Sequence, residues 1–141
     1  RFNVGGSLGS ASDLAFGLCS DRNDAIDSLS EQASFRVIGA TSTTNIVVET
    51  DDGTTNNDGV ATGESLATTE KEYVIDFTDG TSKVKFFAGD GSGHLARVAA
   101  STTFDMSGYT GNLQPFVQLQ KTASTNTSNV TIFRCCVTYK V

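Results

Sequence analysis

Apolar residues recur at every second position in short runs along this chain, with turn-forming residues between the runs. This period of two is typical of strands with one buried face, since successive side chains on a strand point to opposite sides. In 141 residues the pattern predicts about ten short strands and no long helix. We therefore predict one all-β domain spanning residues 1–141, in which two antiparallel sheets pack as a sandwich. The runs are Leu14, Phe16 and Leu18; Phe35 and Val37; Ile46 and Val48; Tyr73, Ile75 and Phe77; Val84 and Phe86; and Val117 and Leu119.

The clearest alternation lies at the end of the chain, from Phe133 to Val141. Its odd-numbered residues are apolar, aromatic or cysteine, with Arg134, Thr138 and Lys140 on the other face. This pattern predicts a central or well-paired strand whose odd-numbered residues are buried. On that interpretation, Phe133→Ala removes a buried ring and lowers the free energy of unfolding by about 3 to 5 kcal/mol.

Glycine-containing turn sequences separate the runs. Residues 51–53 (Asp-Asp-Gly) and 57–59 (Asn-Asp-Gly) predict turns. Residues 78–81 (Thr-Asp-Gly-Thr) stand between two strand patterns and predict a hairpin. Residues 89–93 (Gly-Asp-Gly-Ser-Gly) predict a second hairpin.

One segment, between Asp21 and Ser30, departs from the period of two. Here Ala25, Ile26 and Leu29 are spaced so that they can share one face of a short helix. This spacing predicts one or two helical turns, or an ordered loop, at most.

Charge and composition limit the classes of partner. The net charge is −6, and the 10 basic residues are scattered along the chain. A nucleic-acid partner is therefore not expected, because phosphate binding needs clustered Lys and Arg. A membrane partner is not expected either, because no apolar run approaches the roughly 20 residues that a spanning helix needs.

Three cysteines, an odd number, leave at least one thiol free. Cys135 and Cys136 are adjacent and would point to opposite faces of a strand, so a bridge between them would be strained. We expect reduced thiols, as in a cytoplasm.

The chain begins at Arg1 without a methionine, in a stretch that already suggests a strand. We therefore expect the ordered or C-terminal part of a longer chain.

No catalytic arrangement is evident. Glycoside hydrolysis needs two carboxylates roughly 5 to 10 Å apart, and Glu49 and Asp51 begin the Glu-x-Asp-x-x-Glu pattern of concanavalin A-like glucanases. The third carboxylate is replaced by Thr54, and the chain has no tryptophan for a sugar platform. His94 has no nucleophile and orienting acid evident in the neighbouring sequence. We therefore predict that the protein is not an enzyme and needs no cofactor.

Two acidic clusters carry oxygen atoms of the kind that metal ions bind. Asp51, Asp52, Asn56 and Asp58 are weak calcium ligand candidates, since calcium takes about six to eight oxygens. Their spacing does not match a known calcium loop, and turn hydrogen bonds explain the same residues. Asp21, Asp24 and Asp27 are better explained as caps of a helical turn. We predict no metal site.

A binding surface can be suggested for the strand that contains Val117 and Leu119. If these two face the core, Phe116, Gln118 and Gln120 face outward. An exposed aromatic beside amide side chains suits a glycan contact, and it equally suits a contact with another subunit.

Eight blocks of sequence follow one another in a characteristic order. They are residues 15–18 (Ala-Phe-Gly-Leu), 23–28 (Asn-Asp-Ala-Ile-Asp-Ser), 33–39 (Ala-Ser-Phe-Arg-Val-Ile-Gly), 48–54 (Val-Glu-Thr-Asp-Asp-Gly-Thr), 73–77 (Tyr-Val-Ile-Asp-Phe), 84–87 (Val-Lys-Phe-Phe), 103–106 (Thr-Phe-Asp-Met) and 113–121 (Leu-Gln-Pro-Phe-Val-Gln-Leu-Gln-Lys). In this order the chain resembles tailed-phage and prophage virion proteins with a concanavalin A-like jelly-roll domain. The resemblance implies a two-sheet jelly roll, a place on the virion surface or in its cement layer, and further strands before Arg1.

The jelly-roll fold is shared by lectins, glucanases and passive structural modules, so the fold does not choose among them. We predict a non-enzymatic virion structural protein of a tailed phage, a capsid decoration or cement protein or a similar surface module. Its expected partners are the major capsid protein or other virion proteins, with a homo-oligomer or many copies on the lattice. It would assemble in the host cytoplasm and lie on the virion surface. The alternative is a carbohydrate-binding virion module that attaches to host or environmental glycans.

Overall fold

A computed structural model describes residues 1–123, 125 and 127–138. In it the chain forms a β-sandwich of two five-stranded antiparallel sheets, which confirms the predicted fold class. The strands are β1 (Phe2–Ser7), β2 (Ser12–Cys19), β3 (Glu31–Ile38), β4 (Asn45–Asp52), β5 (Asn56–Ser65), β6 (Lys71–Asp76), β7 (Lys85–Gly89), β8 (Leu95–Val98), β9 (Gln114–Lys121) and β10 (Asn129–Cys135). Sheet A has the strand order β10-β1-β6-β7-β8, and sheet B has the order β5-β4-β3-β2-β9.

Aromatic rings from both sheets form the centre of the core. The ring centroid of Phe16 on β2 lies 5.9 Å from that of Phe2 and 5.0 Å from that of Tyr73. Phe35 on β3 lies 5.6 Å from Phe16 and 5.3 Å from Phe86. All five residues are buried. Edge-to-face and offset aromatic pairs each add about 0.5 to 1.5 kcal/mol to the effect of burial alone, so these contacts fix how the two sheets face each other.

The predicted hairpins at residues 78–81 and 89–93 are confirmed. β6 pairs with β7 across a turn that includes a short 3₁₀ helix (Thr81–Lys83), and β7 pairs with β8. The turn predicted at residues 51–53 is confirmed at Gly53: Asp51 and Asp52 are the last residues of β4, and residues 53–55 connect it to β5. The turn predicted at residues 57–59 is wrong, because these residues lie inside β5. There the backbone of Gly59 has a φ of 58°, and the register with β4 shifts, so the glycine marks an irregularity within a strand.

The prediction for the C-terminal strand is also wrong. β10 ends at Cys135 and lies at the edge of sheet A, paired with β1. Phe133 is 51% exposed, and Cys135 and Val137 are exposed as well. The physical reason is a bulge: Arg134 pairs with Asn3 while Ile132 pairs with Val4, so Phe133 is an extra residue in the ladder. Two further residues of the predicted strand, Tyr139 and Val141, lie outside the described residues.

Residues 21–30, called the lid below, cross the outer face of sheet B. They contain one 3₁₀ turn (Ile26–Ser28), which confirms the short helical turn predicted between Asp21 and Ser30. Ile26 and Leu29 are buried, and so is Ala15 on the outer side of β2. The lid therefore gives this part of sheet B a second, small buried layer.

All three cysteines are free thiols. Cys19, at the end of β2, is buried, and burial raises the pKa of its thiol. Cys135 is exposed and Cys136 is half-buried. In the part of the chain that the structure describes, no helix is long and apolar enough to cross a membrane.

Candidate functional site

A buried ionic cluster lies on the outer face of sheet B, beneath the lid. Arg36 on β3 is 4% exposed and Glu49 on β4 is 3% exposed. Nη1 of Arg36 donates to both carboxylate oxygens of Glu49, at 3.2 and 3.3 Å. Nη2 lies 3.2 Å from Oδ2 of Asp13 and also contacts the carboxylate of Asp27 in the lid. The cluster thus ties three strands and the lid to one guanidinium.

Burial and charge act in opposite directions in this cluster. Burial raises the pKa of the Glu49 carboxyl, and the Arg36 charge partly offsets that rise. Burial also disfavours the Arg36 charge, but the carboxylates of Glu49 and Asp27 outweigh it, and the pKa of the guanidinium is raised. Both Glu49 oxygens already accept hydrogen bonds from Arg36, so this carboxylate is held as an ion-pair partner.

The two carboxylates of the partial glucanase pattern share a face of β4. Glu49 and Asp51 point to the outer side of the sheet, where they line a cleft of about 390 Å³. Burial raises the pKa of Asp51. Thr50 between them is buried, and Asn57 donates to its hydroxyl. Because Glu49 is paired with Arg36, these two residues do not form a free carboxylate pair.

The weak calcium candidates are engaged in hydrogen bonds in the β4–β5 turn and at the start of β5. Asp51 Oδ1 accepts the Gly53 N–H at 2.7 Å. Oδ1 of Asp52 accepts the N–H groups of Thr54 and Thr55. The remaining two candidates contact each other: Asn56 Nδ2 donates to Oδ2 of Asp58 at 3.2 Å. Within the described ranges, no three His, Cys, Asp or Glu side chains are grouped so as to hold a metal ion.

Asp52 is set apart from the other candidates by its burial. In addition to the turn amides, its Oδ2 accepts the N–H of Gly108 at 2.8 Å, which fastens the 106–113 loop to the β4–β5 turn. The amides of Thr55, Thr54 and Gly108 favour the ionised carboxylate, and together they lower the pKa of Asp52 against the opposing effect of burial.

His94 lies on the exposed loop between β7 and β8. Nδ1 of His94 is 3.1 Å from the Ser92 hydroxyl, which itself donates to Asp90 at 2.5 Å. The acid therefore contacts the serine and not the imidazole, unlike the order in which a catalytic triad orients its base.

The acids of the lid do not act as the predicted helix caps. Asp24 pairs with Arg22, and Asp21 accepts the Arg22 N–H. Asp27 contacts Arg36 instead. The N-cap residue of the 3₁₀ turn, Ala25, provides no side-chain cap; the Ile26 N–H is instead accepted by Gln120 Oε1 from β9, and the turn is closed by backbone hydrogen bonds.

Phe116, Gln118 and Gln120 lie on the outer side of β9, next to the lid. Gln118 Nε2 donates to the carbonyls of Asn23 and Asp24, at 2.9 and 3.0 Å. Oε1 of Gln120 accepts the Ile26 N–H at 2.9 Å. Both amides therefore hold the lid in place, and Phe116 lies beside them on the same strand.

The apolar side chains on the inner side of β9 face the core, yet they remain partly exposed to solvent. Val117 pairs with buried Phe16, and Leu119 pairs with buried Leu14, so both point into the sandwich. They are nevertheless 41% and 39% exposed, because β9 is the last strand of its sheet. On the same side of the sandwich, β10 is the last strand of sheet A, and its Ile132 is also exposed.

An open apolar surface therefore lies along β9 and β10, and we call it the β9/β10 edge. The large apolar side chains exposed among the described residues all belong to it or directly follow it: Val117, Leu119, Ile132, Phe133 and Val137. A cleft of about 600 Å³, lined in part by Phe2, Leu18 and Leu113, opens beside Val137 at one end of the edge. Clustered exposed apolar residues of this kind mark interaction surfaces.

The charge of this region differs from that of the rest of the chain. Residues 106–141 contain three Lys or Arg and no Asp or Glu. Residues 1–105 contain all 16 acidic residues and seven basic ones. β9 and β10 thus contain no acidic residue although the domain as a whole is acidic, and this asymmetry can be read directly from the sequence.

In comparisons with protein-family models, with curated proteins and with solved structures, no match to this chain was found. The function of this protein is therefore inferred from its own residues and from the sequence resemblance described above.

Proposed function

We propose that this protein is a non-enzymatic structural module of a tailed-phage virion, in the role of a capsid decoration or cement protein. The observation that carries the proposal is the β9/β10 edge, an apolar surface on a two-sheet sandwich. Exposed apolar residues grouped on one side of a small domain suit a protein partner better than a soluble substrate.

The polar groups on the outer face of sheet B support the same assignment. Arg36 and Glu49 are paired with each other, and the amides of Gln118 and Gln120 are used by the lid. These groups stabilise the domain, which favours a passive module over a catalyst. The resemblance of the sequence blocks to tailed-phage virion proteins is the reason for proposing a phage particle as the assembly.

The mechanism would be thermodynamic. A module that binds the assembled shell, and binds free subunits less well, stabilises the shell by mass action. Many copies, each with a modest contact, add up because the lattice presents many sites at fixed spacing. The net charge of −6 would keep unbound copies soluble.

The test is fractionation of purified particles on a density gradient, followed by cryo-electron microscopy of the particle band. We expect the protein at a fixed copy number per particle, in symmetric positions on the shell. Recovery of the protein entirely at the top of the gradient would overturn the proposal.

A glycan array with the isolated chain provides the complementary measurement. The structural role predicts no glycan signal above that of an unrelated β-sandwich. A signal that Phe116→Ala abolishes would replace the proposal with the carbohydrate-binding alternative. The circular dichroism spectrum of Phe116→Ala is the control, because it reports whether the fold of the variant persists.

A further inference from the structure

The two sheets of the sandwich end on the same side of the molecule, each in a strand with an open edge. β9 pairs with β2 along its eight residues, and β10 pairs with β1. Within the described ranges neither strand has a partner strand on its other side. An edge strand presents free N–H and C=O groups, which are a template for pairing with another chain.

The edges on the opposite side of the sandwich are protected. β5 contains two glycines with positive φ, Gly59 at 58° and Gly63 at 78°, and its register against β4 shifts twice. β8 is only four residues long. Bulges and short strands are the usual ways in which proteins prevent edge pairing. On β9 and β10 such features lie towards the strand ends: Pro115 and Lys121 at the two ends of β9, and Arg134 and the bulge at Phe133 near the C-terminal end of β10.

From this contrast we infer that the β9/β10 edge binds a second copy of this chain in a twofold dimer. The inference rests on the proposed function and names one partner for the surface described there. A twofold axis perpendicular to the sheets would place β10 antiparallel to β10 of the second copy and β9 antiparallel to its β9. Both sheets would then continue across the interface.

Geometry favours a second copy over another occupant. A partner must meet two edges at once, separated by the sheet spacing of about 10 Å. A second copy offers the same two edges at the same spacing. The apolar residues between the sheets, Val117, Leu119 and Ile132, would meet their equivalents and become buried.

Charge does not prevent this contact. Two copies with a net charge of −6 each repel one another overall, but β9 and β10 contain no Asp or Glu and only one basic residue each, Lys121 and Arg134. In an antiparallel ladder centred on Ile132, Arg134 lies opposite Val130 of the second copy. The two guanidinium groups of the pair are therefore not placed directly against each other.

The size of the contact is sufficient for a reversible dimer. β9 contributes eight residues and β10 contributes seven. Even with flanking residues such as Val137, this is below the roughly 20 to 30 residues per side in a standard interface, so the contact is of the small, weak kind. We therefore expect dissociation on dilution.

The first experiment is sedimentation-velocity ultracentrifugation of the isolated chain over a range of concentrations. We expect wild type to change from one chain's mass to twice that mass as concentration rises. The double variant Leu119→Lys with Ile132→Lys should stay at one chain's mass. Leu95→Lys, on the β8 edge, is the matched control and should dimerise like wild type. A wild-type chain that stays monomeric, or a double variant that still dimerises, overturns the dimer.

A second variant keeps the test informative if the double lysine variant fails to fold. Ile132→Cys, in a background with Cys135→Ser and Cys136→Ser, places a thiol on the twofold axis, where paired strands lie about 4.5 to 5.5 Å apart. Oxidation should then give a covalent dimer, since that spacing suits a disulfide. Ser92→Cys on the β7–β8 loop is the control and should give none. Equal cross-linking of the two would overturn the proposed interface.

The particle fractionation separates failure of the dimer from failure of the proposed function. A monomeric wild type that still binds particles, with binding lost in the double lysine variant, removes the dimer and retains the structural role. A dimeric wild type that never accompanies particles retains the dimer and removes the structural role.

Discussion

The dipeptide Phe-Arg occurs in β3 and again in β10, and the two copies have opposite environments. Phe35 is fully buried between the sheets, and Arg36 is buried on the outer face against Glu49. Phe133 is half-exposed and Arg134 is exposed. β3 is the middle strand of sheet B, whereas β10 is the last strand of sheet A.

The difference shows that local pattern determines alternation but not position in a sheet. Both strands alternate, yet β3 has a neighbour on each side, an opposing sheet and a lid. β10 has β1 on one side and a bulge that changes which way Phe133 points. The energetic contribution of each side chain therefore depends on contacts that are distant in sequence.

Replacement of Phe35 is expected to have the largest effect. Phe35→Ala removes a ring that contacts Phe16, Tyr73 and Phe86, and it leaves a cavity between the sheets. We expect the free energy of unfolding to fall by about 4 to 5 kcal/mol, measured by urea denaturation. A loss below about 1 kcal/mol would contradict the placement of this ring at the core.

Removal of the buried guanidinium is expected to come next. Arg36→Met keeps the volume of the stem but leaves Glu49 buried without its partner. We expect a loss of about 3 kcal/mol at neutral pH. The double variant Arg36→Met with Glu49→Leu is the control and should recover most of that loss, because it removes both charges. No recovery in the double variant would argue against the ion pair as the cause.

The same pair predicts a pH dependence. Because burial raises the pKa of Glu49, the folded chain holds that proton to higher pH than the unfolded chain does. Stability therefore falls as pH rises from the ordinary Glu pKa through the raised one. In Arg36→Met the opposing charge is gone, so the fall should extend to higher pH. Adding Glu49→Gln to Arg36→Met should remove this dependence of stability on pH. The same pH dependence in Arg36→Met and in the double variant would refute this explanation.

A buried acid in a turn should have an intermediate effect. Asp52→Asn weakens the hydrogen bonds from Thr54, Thr55 and Gly108, for an expected loss of about 2 kcal/mol at neutral pH. Since these amides lower the pKa of folded Asp52, its contribution is present above the ordinary Asp pKa and is lost as pH falls through the lowered one. The denaturation midpoints of wild type and variant should thus converge in acid. A constant difference down to low pH would contradict the assignment.

The smallest effect is expected at the second Phe-Arg dipeptide. Phe133→Ala should lower the free energy of unfolding by less than about 1 kcal/mol, because half of the ring is already in contact with solvent. This replaces the loss of about 3 to 5 kcal/mol expected from alternation alone. Measurement at a concentration where the chain is monomeric isolates the effect on folding, and a loss like that of Phe35→Ala would remove the contrast between the two strands.

The sequence predicts local features of this fold well. The hairpins around β7 follow from turn residues between alternating runs, and these features involve neighbours in the chain. It does not predict that β10 is an edge strand, because β10 pairs with β1 from the other end of the chain. Turn composition also misplaces a turn at residues 57–59, where the glycine sits inside a strand.

The candidate sites are harder to predict than the fold. Gln32, Ser34 and Arg36 alternate with apolar residues on β3, so a polar outer face of this strand is visible in the sequence. The burial of Arg36 is not visible, since it depends on the lid and on Glu49 from the next strand. The β9/β10 edge does leave one signal, the absence of Asp and Glu after Asp105.

Because Cys19 is buried and Cys135 is exposed, the reactivity of the two thiols can report opening of the native fold. An alkylating reagent should consume the exposed Cys135 thiol on mixing. Cys19 is buried with a raised pKa, so it should react when β2 leaves the sandwich. The slow phase of labelling, resolved by mass spectrometry, would then count excursions of the native chain to an open form without any engineered cysteine.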